Sequence, residues 1–81
     1  MTSVRILHHH DPPYGWSFDS PDLPGLIGGD DTFGQSRARA ESAARFHLEC
    51  EAEEQGRPVP DLASLEFEHF VPASEASALA A

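Results

Sequence analysis

Histidines dominate the chemistry this 81-residue chain could do. His8-His9-His10-Asp11 is a run of four potential ligands, and alternation along a strand puts His8 and His10 on one face, where two imidazoles could share a divalent ion. A catalytic metal site wants a third protein ligand, and His69 is the candidate for it. No ligand motif surrounds these residues, so the favoured reading is a strand end with partly exposed histidines and no metal. Asp19, Asp22, Asp30 and Asp31 form a second group. Two-metal hydrolysis would need them to converge from strand centres, whereas all four fall in turn-like sequence, where aspartate caps backbone groups. The lone Cys50 is flanked by Glu49 and Glu51, which disfavour a thiolate, so it reads as a core thiol beside His47. Tyr14, Trp16 and Phe18 could stack single-stranded bases, but no Lys or Arg flanks them, and they read as core. No catalytic residue, metal site or cofactor is expected.

The elements that must position these residues are short. Val4–His10 alternates as a strand, Asp11-Pro12-Pro13 breaks it, and Tyr14–Asp19 alternates again, which predicts a hairpin. Ser20–Gly25 is a turn-rich corner. Leu26-Ile27 is a brief third strand that Gly28-Gly29-Asp30-Asp31 ends. A helix from about Thr32 to Gln55 follows. Thr32 and Gln35 match a capping box, and Phe33, Ala40, Ala43, Ala44, His47, Leu48 and Cys50 recur at helical spacing, with Phe46 at the margin. Glu41 and Glu49 each stand four residues from Arg45 and can pair with it. Gly56 and Pro58 end the helix. Leu65–Val71 alternates as a last strand, with Glu66 and Glu68 outward. The expected fold is α+β: a three-stranded antiparallel meander, one long helix covering it, and one closing strand at an edge. Residues 1–72 form the domain, and the Ala/Ser-rich tail 73–81 is expected to be disordered.

Fourteen acidic residues against five basic ones give a net charge of −9. Such a chain is repelled by nucleic acid and anionic membranes and suits a basic partner. Arg37, Arg39 and Arg45 share a segment with five glutamates, so direct DNA binding by this chain alone is not expected. One cysteine excludes an internal disulfide, and no apolar run reaches the roughly 20 residues of a membrane span, so a cytoplasmic location is expected.

Three ordered blocks give the sequence a specific resemblance. Trp16 precedes Ser20-Pro21-Asp22-Leu23-Pro24-Gly25; Gly29-Asp30-Asp31-Thr32 opens an alanine-rich helix; Gln55-Gly56-Arg57-Pro58-Val59-Pro60 leaves it. Over roughly Val4 to Pro72 the chain resembles the N-terminal domain of HicB-type antitoxins. The resemblance implies a degenerate ribonuclease-H-like β-β-β-α-β fold without enzymatic activity, a homodimer, and a partner that is a small basic HicA-type messenger-RNA ribonuclease, neutralised by occlusion. Asp30, Asp31, Glu66 and Glu68 are the candidate contacts, and Trp16, Pro21, Asp22, Leu23, Pro24, Gly25, Thr32 and Gly56 the structural motif. Asp30 departs from the family pattern, which has a turn glycine there. Many HicB proteins continue into a C-terminal DNA-binding domain, and none is expected here. The alternative is a stand-alone homo-oligomeric HicB-like domain, structural or regulatory, without a cognate toxin.

Overall fold

The computed structural model describes residues 3–80. Its first two strands are β1 (Ser3–Asp11) and β2 (Gly15–Asp19), followed by β3 (Ile27–Asp30), helix α1 (Phe33–Glu54) and β4 (Glu66–Phe70). A 3-10 turn (Leu62–Ser64) precedes β4, and a second 3-10 segment (Ala73–Ala80) follows it. β1–β2 and β2–β3 are antiparallel, as the meander requires. β4 lies against the other side of β1 and parallel to it, so the sheet is mixed and its spatial order is β3-β2-β1-β4. A parallel neighbour needs a long crossover, and α1 with its exit loop supplies it.

The glycines expected to end β3 lie inside it: Phe18 pairs with Gly28 and Ser17 with Gly29. Any side chain at Gly29 would overlap the carbonyl oxygen of Trp16, so only glycine lets β3 approach β2 this closely.

The alternation in β1 and β2 decides the core. Val4, Ile6, His8, Trp16 and Phe18 are buried beneath α1, and Leu23 and Leu26 close one end. Tyr14 departs from the expected pattern. It sits in the turn before β2, its N–H donating to the Asp11 carbonyl at 2.7 Å, and is 83% exposed. The helix contributes small residues, Ser36, Ala40, Ala44 and Ala52, which let its axis come close while the sheet supplies the bulk. His47, Leu48 and Cys50 are only half-buried.

Thr32 caps α1, its Oγ1 accepting from the Gln35 N–H at 3.1 Å. The expected reciprocal bond is replaced: the Gln35 side-chain oxygen accepts from the Thr32 hydroxyl at 3.2 Å. Thr32→Ala is expected to cost about 1 kcal/mol, read as a lower midpoint at unchanged slope in urea unfolding. At the other end Gly56, at φ +66°, closes the helix. Arg57 N–H reaches the Ala52 carbonyl at 2.9 Å and Gly56 N–H reaches Glu53 at 3.2 Å, the paired bonds of a Schellman cap. The segment Ala73–Ala80 lies against the end of β1. Glu75 anchors it, one carboxylate oxygen accepting from the His10 N–H and the other lying 4.0 Å from His9.

Candidate functional site

Parallel pairing sets Ile6 opposite His69, so His69 lies diagonally next to His8 on the face beneath α1. From the helix Glu41 completes a chain. His8 Nε2 stands 2.8 Å from His69 Nδ1, and His69 Nε2 stands 2.7 Å from Glu41 Oε2. A carboxylate only accepts, so His69 Nε2 carries a proton; with His69 neutral, its Nδ1 accepts the Nε2–H of His8. His8 Nδ1 is then a bare acceptor, buried without a donor. His8 is 0% exposed, with the Phe33 ring edge-on at 4.8 Å and Phe18 at 6.4 Å. Burial, reinforced by His69, Arg37 and His9, pushes the His8 pKa down to about 4 from the ordinary 6.5.

The chemistry this can do is constrained. The two imidazoles share a proton with each other instead of aiming lone pairs at one point. Among the described residues no group of three or more His, Cys, Asp or Glu is arranged to hold a metal. His10 shares the buried face with His8, as the alternation predicts, and packs against Trp16 at 5.0 Å. A proton relay would need one end at a substrate, and the inner end here is sealed by aromatic rings. The chain instead ties β1, β4 and α1 together. Glu41, expected to pair with Arg45, bonds His69 and lies 3.7 Å from Arg37, while Arg45 sits over the Phe67 ring at 5.1 Å. Sequence reasoning named both histidines but missed Glu41, because its contact with His69 spans 28 residues and no local pattern encodes it.

Of the four aspartates, Asp22 and Asp31 lie in turns as expected, whereas Asp19 and Asp30 are the last residues of β2 and β3. Asp22 takes the Arg5 N–H at 2.8 Å and its guanidinium at 2.7 Å, and that guanidinium holds its carboxyl below the usual range. Asp30 is lowered by the Asp31 N–H and then by Arg39, which it meets at 3.0 Å on the helix side. Asp19 lies on the other face, 3.8 Å from His9. In the corner, Ser20 Oγ accepts from the N–H groups of Asp22 and Leu23, which buries Leu23 between the exposed Pro21 and Pro24. Trp16 meets the Phe33 ring at 5.1 Å, T-shaped.

The four candidate contact residues do not form one patch. Glu66 and Glu68 project from β4, and Asp30 and Asp31 stand at the end of β3, the opposite edge of the sheet. Glu66 and Glu68 share the face turned away from α1 with Leu7, Phe70, Ile27 and Asp19. Leu7 and Phe70 are directly paired there. Helix α1 lies on the other face, and Val71, Pro72 and Glu75 border only the Leu7–His9 end of this one. Among the described residues no helix is long and apolar enough to cross a membrane. In comparisons with known proteins, no family, no curated protein and no solved structure matches the chain.

Proposed function

We propose that this chain is an antitoxin-like protein-binding module, without enzymatic activity, that occludes a small basic HicA-type ribonuclease. The observation that carries the reading is the sheet face turned away from α1, on which Leu7, Ile27 and Phe70 lie among Asp19, Glu66 and Glu68 in a chain of net charge −9. Apolar side chains within an acidic rim suit a basic protein surface, the charges setting encounter rate and partner choice. The sheet order β3-β2-β1-β4, with β1 parallel to β4, supports a degenerate ribonuclease-H-like reading. β1 carries only Asp11, at its end, where Ser17 Oγ donates to it at 3.2 Å, so the strand next to the sheet's centre supplies no central carboxylate of the kind a two-metal nuclease uses.

The test is native mass spectrometry of the tagged protein purified from its own host. A stoichiometric small basic protein is expected, lost when Glu66→Lys, Glu68→Lys and Phe70→Ser are combined. Recovery without such a protein, or retention by the triple variant, would reject the occluding face. The stand-alone homo-oligomeric reading is favoured by the outer edges of β3 and β4, which are unpaired among the described residues and which a second copy could pair. Light scattering that finds a dimer with no bound partner would support it.

A further inference from the structure

A groove of about 440 Å³ lies beside the β3 edge, between that strand's entrance and the flank of α1. Helix and strand run alongside each other here. Arg39 meets Asp30 at one end of β3, and farther along Ala43, Phe46 and Cys50 line the groove from the helix and Leu26 and Ile27 from the strand's entrance. Positions 39, 43, 46, 50 and 54 recur at helical spacing, so one stripe of α1 overhangs the outer edge of the sheet. One large apolar side chain on this rim is exposed, Phe46 at 68%, while the Ile27 side chain turns to the opposite face of the sheet. β3 has no neighbour on that side among the described residues, which leaves backbone donors and acceptors directed outward. Glu51 and Glu54 line the far end of the groove.

We propose that this edge and groove bind an extended, basic segment of a partner protein by strand addition. The segment would pair with Ile27–Asp30 and set alternate apolar side chains under Phe46 and Ala43. Main-chain pairing gives such sites affinity, and the pockets for alternate side chains give them selectivity. Charge complementarity decides the occupant. Glu51 is already held by Arg57 at 3.3 Å and His47 at 3.6 Å, so it is Glu54, on a molecule of net charge −9, that favours lysine or arginine and opposes a second copy of this equally acidic chain. The proposal rests on the partner-binding reading but concerns a different surface from the open sheet face.

The probe is a short fluorescein-labelled peptide of alternating valine and lysine, with a valine–glutamate peptide as control. Cys50, the chain's single cysteine, lies in the groove and provides a second readout, its rate of reaction with a thiol reagent. The basic peptide is expected to bind, to shift the amide resonances of residues 26–30, and to slow Cys50 modification, while the acidic peptide does none of these. Phe46→Ser and Glu54→Lys alter exposed side chains that the core does not use, and each is expected to weaken binding about tenfold. Higher salt should weaken it further. No binding, shifts confined to Leu7, Glu68 and Phe70, or unchanged affinity in both variants would overturn the proposal. A dimer that dissociates in Phe46→Ser and excludes the peptide would also overturn it, by assigning the edge to a second copy. The two ideas separate cleanly. A captured basic protein indifferent to Phe46→Ser and Glu54→Lys leaves the module reading standing without this groove. A peptide that docks here when no basic protein is captured leaves the groove standing without that partner.

Discussion

Acidification from pH 6.5 to pH 4 is expected to lower the unfolding free energy by roughly 3 kcal/mol, with His8 as the main cause. His8 is buried and neutral in the folded chain, and its pKa there is about 4 against 6.5 when free. Above 6.5 neither state holds the proton and stability is full. As the pH falls below 6.5 the unfolded chain takes up a proton that the folded chain refuses, so stability declines until about pH 4, where both states bind it. For 81 residues the total is on the order of 4–12 kcal/mol, so the loss is a large share. His8→Leu removes the ionising group from the same aromatic pocket and should flatten the profile over this interval. Asp22 and Asp30 add a separate loss at lower pH. Their carboxyls are held below 3.8, so the stability they give is present above that value and disappears as the pH falls through their folded pKa values. Urea midpoints measured between pH 7 and 4 test this. A flat profile in the parent chain, or an equal slope in His8→Leu, would show that His8 is not the controlling group.

Phe18→Ala is expected to cost about 3–5 kcal/mol, while Tyr14→Ala should change stability by less than about 0.5 kcal/mol. The two residues belong to one alternating run, yet Phe18 is 2% exposed and Tyr14 83%. Phe18 packs in the cluster with Val4, Ile6, Leu26, Ala40 and Ala44, and the missing Cβ of Gly28 makes room for its ring. Truncation there leaves a cavity in a core too small to collapse around it, enough to unfold a marginal domain at 37 °C. Thermal unfolding followed by circular dichroism separates the pair. Similar midpoints for the two variants would contradict this assignment of the core.

The identity of the elements was legible in the sequence because local physics determines it. Alternation in Val4–His10 fixes which side of β1 is apolar, Thr32 and Gly56 mark the helix ends through the backbone groups they satisfy, and Ser20–Gly25 must turn. Pairing partners were not legible, because they join distant segments. That β4 would lie parallel to β1 depends on where the crossover delivers it, and that choice alone brings His69 to His8 and both under Glu41, across separations of 61 and 28 residues. Tyr14 and the Gly28-Gly29 pair depart from the local pattern for the same reason: hairpin register and the close approach of β3 to β2 depend on the partner strand, not on the residue types alone. The acidity was fixed by composition. Which apolar side chains it would surround, Leu7, Ile27 and Phe70 on the open face and Phe46 beside the β3 edge, was decided only when one helix proved able to cover one face of a four-stranded sheet.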